Sequence, residues 1–275
     1  MTRKRWVLAL SFSVSGALLW LVLRQFDVHQ LSALFTGADV APLLAAVLVA
    51  LAVNGPLSAW ALQPALAAHG VSLPYRAALE ATLGHLALHA GATAVVGKSA
   101  RAAYLARRYG ADTPSALRAE LSLLGLKLVA LWALASVGAL LSGHGWGAGS
   151  GALALALVAF WVHRRGAAVI QAFSLTLLMG LGQLGVFALA LSALGASPPV
   201  ASLLFWFPIC LLGAKLPVSV MGIGLRESLV VLLLRDSASP VALLGASLSF
   251  SAIEQILPGL VGLLFAPRFV EKTLT

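Results

Sequence analysis

The chain has 275 residues, of which 60% are hydrophobic and 10% charged, and a formal net charge of +9. A soluble domain of this length needs a polar surface that this composition does not provide. Its apolar runs approach or exceed the roughly 20 residues that cross a bilayer as a helix. Lipid cannot satisfy backbone N–H and C=O groups, so spanning segments of this kind are helices. We therefore predict an all-α, polytopic transmembrane bundle, with residues 1–275 forming a single integral membrane domain.

The hydrophobic segments follow one another along the chain with short connections. Two of them, 74–111 and 217–235, are interrupted by glycine and charged residues, and we interpret them as candidates for re-entrant helical segments. This interpretation gives about seven or eight membrane-crossing helices plus one or two re-entrant ones. The predicted segments are 6–23, 41–63, 74–111, 113–141, 148–162, 167–194, 200–216, 217–235 and 240–265.

Charge is distributed unevenly between the connections. The stretches 3–5, 101–108 and 164–165 are basic, whereas 143–151 and 195–199 carry no formal charge. Basic loops favour the cytoplasmic side, so we place the protein in the cytoplasmic (inner) membrane with its N-terminus in the cytoplasm. Because the Lys and Arg residues are scattered between hydrophobic segments, the positive charge indicates anionic lipid headgroups rather than nucleic acid as partner.

The two interrupted regions share a pattern. Gly97 precedes Arg101 and Gly222 precedes Arg226, and each arginine is followed at a similar distance by a proline that opens a long apolar segment. Paired, glycine-interrupted segments in two halves of a chain are typical of a transporter's binding site. An internal repeat is one interpretation. Chance agreement in a sequence rich in Gly, Ala and Leu is the alternative.

Ionisable residues inside the apolar segments are the candidate functional groups. A charge at mid-membrane costs about 2.5–3.5 kcal/mol on insertion scales, so such a residue usually faces a partner or a polar cavity. The residues concerned are Glu120, Lys127, Arg226, Glu227 and Glu254. Glu254 has two interpretations, as a proton-coupling carboxylate or as a counter-ion for a basic residue.

Arg226 has the most specific functional interpretation. A guanidinium group binds phosphate oxygens through two parallel hydrogen bonds, and Gly222 and Gly224 let the backbone approach a ligand closely. The alternative is a buried ion pair with Glu227 or Glu254 that only joins two helices. Lys98 and Arg101 are either headgroup-recruiting residues or ordinary cytoplasmic charges.

No metal, cofactor or catalytic residue is predicted. His85 and His89 stand four residues apart, but no third ligand accompanies them, so lining of a polar cavity is the preferred interpretation. The sequence contains neither a phosphate-binding P-loop nor a GxSxG nucleophile motif. We therefore expect neither an ATP-driven pump acting alone nor an enzyme.

Two motifs resemble a known family. The sequence LPVSVMGIGLRE, with Gly222, Gly224, Arg226 and Glu227, and the sequence GKSAR, ending at Arg101, resemble motifs of the lysylphosphatidylglycerol synthase transmembrane (flippase-like) domain family. Lys98 replaces the acid usual in the first motif. Lys127 lies near the position where the family has an aspartate.

The resemblance implies movement of lipids or lipid-linked headgroups between bilayer leaflets. Its expected ligand is an anionic phospholipid or lipid-linked phosphate, with Arg226 holding the phosphate, Lys98 and Arg101 recruiting it, and Glu227 and Glu254 balancing charge. One alternative is a non-catalytic membrane partner of a lipid-modifying enzyme or glycosyltransferase. Another is a membrane-embedded enzyme acting on a lipid phosphate, with His85 or His89 as its base.

Overall fold

A computed structural model describes residues 20, 28–91, 94–215 and 224–264, with backbone alone for 28, 31, 87–91 and 94–98. The regular structure in these ranges is entirely helical. The helices are α1 (Val28–Thr36), α2 (Val40–Ala52), α3 (Ser58–Ala67), α4 (Tyr75–Gly91), α5 (Ala94–Tyr109), α6 (Thr113–Leu141), α7 (Trp146–Arg165), α8 (Ala168–Ala193), α9 (Val200–Gly213), α10 (Leu225–Leu234), α11 (Pro240–Ser251) and α12 (Leu257–Leu263). Two π-helical turns, Val53–Leu57 and Ala252–Ile256, join α2 to α3 and α11 to α12.

Within the described ranges, five helices are long and apolar enough to cross a membrane. The shortest has 20 residues, which at 1.5 Å per residue gives a length of about 30 Å. The five are Val40–Ala67, Thr113–Leu141, Trp146–Arg165, Ala168–Ala193 and Pro240–Leu263. They coincide with predicted segments 41–63, 113–141, 148–162, 167–194 and 240–265, so the predicted all-helical, membrane-compatible architecture is confirmed.

The remaining predicted segments have different outcomes. Segment 200–216 corresponds to the shorter apolar helix α9. Apart from Trp20, segment 6–23 lies outside the described residues, as does the stretch 217–223, so the count of seven or eight spans stays a prediction.

Segment 74–111 consists of two helices, α4 and α5. Tyr109, at the end of α5, donates a hydrogen bond of 3.3 Å to Oε2 of Glu80, near the start of α4. The beginning and the end of the segment therefore lie close together, and the re-entrant interpretation stays a prediction.

Side-chain caps fix the starts of the two long helices that follow the interrupted regions. The carboxylate of Asp112 accepts from the backbone N–H of Ser115 at 3.1 Å and caps α6. The hydroxyl of Ser239 accepts from the N–H of Ala242 at 3.3 Å and caps α11. A proline lies in the first turn of both helices, where its missing N–H costs nothing.

The first described span runs antiparallel to α8. The backbone N–H of Asp39, just before α2, donates to the carbonyl of Ala193 at the end of α8 at 2.8 Å. Further along, Val53 lies against Gly182, in the middle of α8. The π turn after Val53 is thereby brought to the middle of the bundle.

Phenylalanine side chains form the core where α8, α9 and α11 meet. The rings of Phe187 and Phe207 are stacked with centroids 4.1 Å apart, and Phe250 meets Phe207 edge-on at 5.2 Å. All three rings are buried. Because Phe250 directly precedes Ser251, this core supports the polar residues at the end of α11.

Candidate functional site

The first component of the candidate site is the ion pair between Arg226 and Glu227 in the first turn of α10. Nη2 of Arg226 donates to Oε1 of Glu227 at 2.9 Å. Both side chains are buried, with exposed fractions of 2% and 0%. Such burial is costly unless each charge is paired and hydrogen-bonded, so the surroundings of the pair determine what it can do.

Glu227 is fixed by neighbours on two helices. Its Oε2 accepts from the backbone N–H of Gly224 at 2.6 Å, and its Oε1 accepts from the Ser251 hydroxyl at 2.7 Å. Ser247 makes a longer bond of 3.5 Å to the same oxygen. Gly224 has a φ of 85°, a conformation that favours glycine, so this residue both starts α10 and presents its N–H to the carboxylate.

Arg226 retains an unused donor. Its Nη2 also bonds to Ser251, and its guanidinium group lies 5.0 Å from the ring centroid of Phe250. Its Nε–H, by contrast, is buried without a hydrogen-bond partner among the described residues. An acceptor oxygen of a ligand would satisfy this N–H.

The second component is Glu254, in the π turn after α11 and one helical turn beyond Ser251. Its Oε2 accepts from Nδ2 of Asn54 at 3.0 Å and from Nε2 of Gln183 at 3.3 Å. Asn54 lies in the other π turn, and Gln183 lies in α8. Three of the five candidate spans thus meet at one carboxylate. Single π turns occur frequently at functional sites.

The third component is a buried pair in the first interrupted region. Nε and Nη2 of Arg101, on α5, donate to the two carboxylate oxygens of Glu120, on α6, at 2.5 and 2.6 Å. Thr82, on α4, accepts from Nη1 of Arg101 at 3.4 Å. Both charged side chains are buried. In each interrupted region, therefore, an arginine on a short helix bonds to the long helix that follows.

The structure brings some predicted site residues together and leaves others apart. Gly224, Arg226, Glu227 and Glu254 belong to one region around the end of α11. Arg101 lies in the separate pair with Glu120.

Four further predicted residues either lie outside these three components or have side chains that the structure does not describe. Lys127 lies partly buried in the middle of α6. Gly222 lies outside the described residues, as do the side chains of Lys98 and His89.

The sequence analysis identified neither Gln183 nor Asn54 as a site residue. Burying a side-chain amide costs free energy unless the amide is hydrogen-bonded. A side-chain amide in an otherwise apolar span was therefore the available signal. No group of three His, Cys, Asp or Glu side chains within the described ranges could hold a metal ion.

A cavity of about 250 Å³ lies apart from these groups, between the ends of α3 and α7 and the start of α8. Its walls are mostly apolar, with Leu126 and Trp161 among them, and its polar lining includes His69, Arg164 and Arg165. The Ser122 hydroxyl and Nε2 of His69 lie 3.3 Å apart at its wall. None of the predicted site residues whose side chains the structure describes lines this cavity.

Comparison with known proteins adds no identification. No protein-family model matches the chain. No curated protein matches it either. The class of protein defined so far is an all-helical chain with five helices compatible with membrane crossing and with charged residues buried between them.

Proposed function

We propose that the protein moves an anionic phospholipid or a lipid-linked headgroup between the leaflets of the cytoplasmic membrane, as a flippase or scramblase. The observation that carries the proposal is Arg226, a buried guanidinium with one N–H unsatisfied among the described residues. Buried charges inside membrane helices usually mark a pathway for a substrate or an ion. A phosphate oxygen suits the geometry and charge of a guanidinium N–H.

Glu227 determines how Arg226 would receive the ligand. The two charges are opposite, so the buried pair is close to neutral. A phosphate would accept from Nε while Nη2 keeps its bond to Glu227. Glu227 is itself held by hydrogen bonds from Gly224 and Ser251. Its carboxylate would therefore stay in place when a ligand binds and would keep the guanidinium group oriented.

The cavity beside Arg164 and Arg165 supports the same class of ligand. Its lining combines apolar side chains with basic ones, which is the chemistry of an anionic amphiphile rather than of a soluble metabolite. The two arginines also lie in the connection that the charge pattern places on the cytoplasmic side. We assign this cavity to headgroup entry and the Arg226 region to passage through the bundle.

Leaflet exchange of labelled lipids in proteoliposomes tests the proposal. Wild-type protein should accelerate the exchange of labelled phosphatidylglycerol more than that of labelled phosphatidylcholine. The Arg226→Ala variant should lose roughly tenfold or more of the rate, since a hydrogen bond to a charged group contributes about 1.5–3 kcal/mol. Arg226→Lys should recover only part of it, because lysine lacks the planar fork.

Arg118→Ala is the matched control, since it removes the same charge from an exposed position of α6. Its exchange rate should equal that of the wild type. Folding of each variant is checked by circular dichroism and size-exclusion chromatography. If folded wild-type protein exchanges neither lipid, with or without a proton or sodium gradient, the flippase proposal fails for these lipids. A non-catalytic partner of a lipid-modifying enzyme then becomes the better interpretation.

A further inference from the structure

Glu254 is the one ionisable side chain in the three spans that meet around it. The stretches Val40–Ala67 and Ala168–Ala193 contain no Asp, Glu, Lys, Arg, His, Cys or Tyr, and Pro240–Leu263 contains Glu254 alone. Asn54, Gln183 and Glu254 each lie within about three residues, or about 5 Å, of the middle of their span. The carboxyl group is therefore placed near half depth in any membrane that these helices cross.

The two carboxyl oxygens of Glu254 have different surroundings. Oε2 accepts both amide hydrogen bonds, from Asn54 and Gln183. Oε1 is buried and has no hydrogen-bond partner among the described residues. The side chain as a whole is 7% exposed.

The charged neighbours of Glu254 do not form an ion pair with it. The nearby cations are Lys215, in the turn after α9, and Arg226, on α10. Neither one lies within 4 Å of the carboxylate in the described part of the structure, and Arg226 is already paired with Glu227. Of the neighbouring helices, α2 contacts this π turn and α8 reaches it through Gln183, and neither carries a charged side chain. The helix α4 packs against α12 and the Asn54 turn, and its charged residues and histidines are Arg76, Glu80, His85 and His89.

We propose that Glu254 is a reversible proton-binding site in the middle of the membrane, with Oε1 as the atom that takes the proton. A carboxylate buried away from water without a cation is costly, and one proton removes its charge. Oε2 then serves as the carbonyl oxygen and keeps its two amide donors. The step is a simple equilibrium of carboxylate and proton with carboxylic acid, and it needs no further reactant.

The orientation of the amides favours a proton over a metal cation. Sodium and other hard cations are bound by oxygen atoms, whereas Asn54 and Gln183 present N–H groups to the carboxylate. These donors suit an oxygen that stays unprotonated. A proton can therefore bind to Oε1 while both amides keep their orientation.

Proton binding would loosen the contact between the three spans. Hydrogen bonds to a carboxylate are roughly twice as strong as those to a neutral carboxyl group. Protonation therefore weakens the link from α11 through its π turn to Asn54 and Gln183. Use of this change to drive lipid movement rests on the proposed function, whereas the proton-binding site itself does not.

Infrared difference spectroscopy of the purified protein in lipid vesicles tests the site directly. As the pH is lowered, the wild type should show the C=O stretch of a dry carboxylic acid, at a higher wavenumber than the bands of water-exposed acids. The Glu254→Gln variant should lack this band. Glu80→Gln should retain it, because Glu80 is a partly exposed carboxylate paired with Arg76 and lies outside the candidate site.

Two further variants separate a proton site from a merely structural carboxyl group and keep the test valid if Glu254→Gln does not fold. In Asn54→Leu or Gln183→Leu, Oε2 loses one donor, so the band should move to a higher wavenumber. A spectrum that does not differ between wild type and Glu254→Gln at any pH overturns the proposal. So does a band that Na⁺ removes at constant pH, which would make sodium the occupant. Failure of lipid exchange with the band present would reject the flippase and leave the proton site standing.

Discussion

Nδ2 of Asn54 donates a 3.0 Å hydrogen bond to Oε2 of Glu254 across 200 positions of sequence. This bond joins the first and the last of the five candidate spans, and it joins them where each helix changes to a π turn. Pro56 and Pro258 lie in or beside these turns and cannot donate to the carbonyl four residues earlier, so a regular α-helix cannot be maintained there. The two irregular turns thus coincide with the polar contact between the spans.

Substitution of Glu254 should remove the dependence of lipid exchange on a proton gradient. In proteoliposomes with a pH difference across the membrane, wild-type exchange should be faster in one direction than in the other. In Glu254→Gln the two directions should become equal, because glutamine neither takes up nor releases a proton. Fluorescent lipid quenching measured from each side checks the result.

Glu80→Gln is the control for this prediction, since Glu80 is a partly exposed carboxylate whose ion-pair partner is Arg76. Its directional difference should match that of the wild type. Equal directional rates already in the wild type would show that no proton coupling occurs. A directional difference that persists in Glu254→Gln would show that a group other than Glu254 couples lipid exchange to the proton gradient.

The helical architecture could be predicted because hydrophobicity and length act locally. An apolar run such as 167–194 has few alternatives to a membrane helix, and α8 spans almost the same residues. The capped starts at Asp112 and Ser239 are likewise properties of a few consecutive residues.

The partners of the buried charges could not be predicted, because they depend on which helices become neighbours. The alternative interpretation of Arg226 was an ion pair with Glu227 or Glu254, and its observed partner Glu227 is adjacent in sequence. The partners of Glu254, by contrast, are two neutral amides on distant spans. Neutral amides carry little signal in a sequence, and their importance follows only from the packing of α2 and α8 against α11.

Replacing one member of the buried Arg101–Glu120 pair should destabilise the protein far more than replacing both members. Arg101→Leu or Glu120→Leu leaves one uncompensated buried charge, which costs about 3–5 kcal/mol. The double variant should recover much of this loss. A double-mutant cycle from unfolding in detergent micelles gives the coupling free energy.

The exposed pair Arg76–Glu80 provides the comparison, because it has a similar chemical make-up and an N–O distance of 3.5 Å at the surface. Its two single leucine substitutions should have small, nearly additive effects on stability. Additive effects for Arg101 and Glu120 as well would show that their bonds contribute no coupling in the folded state.

Substitution of Gly138 should disrupt the packing of α6 against α9. A Cβ atom at this position would overlap the backbone of Leu204 and Phe205, which cannot move without separating the two helices. We expect Gly138→Ala to lower the free energy of unfolding by about 1–3 kcal/mol or more. Thermal unfolding followed by tryptophan fluorescence measures the change.

Gly185→Ala on α8 is the matched control, because no described atom lies within 4 Å of the added Cβ. It should cost little or no stability, since alanine favours a helix more than glycine does. If Gly138→Ala is tolerated as well as Gly185→Ala, the close contact between α6 and α9 does not exist in the folded protein.

The two ends of α7 should lie on opposite sides of the membrane, with the arginine end in the cytoplasm. The helix is about 30 Å long, which matches the hydrocarbon core of a bilayer. Exposed positions are available at each end, Ser142 before the helix and Ala167 after it. Single cysteines at these positions, made in a Cys210→Ala background, can be labelled with a membrane-impermeant maleimide on intact spheroplasts.

The Ser142→Cys variant should react on intact spheroplasts, and the Ala167→Cys variant should react only after the membrane is permeabilised. Ser197→Cys, at the exposed turn after α8, should behave like Ser142→Cys, because α8 returns from the arginine end. Reaction of Ala167→Cys without permeabilisation would reverse the orientation. Equal accessibility of Ser142→Cys and Ala167→Cys would mean that α7 does not cross the membrane. In the reversed case the cavity beside Arg164 and Arg165 would open to the outside and would have to receive headgroups from the outer leaflet.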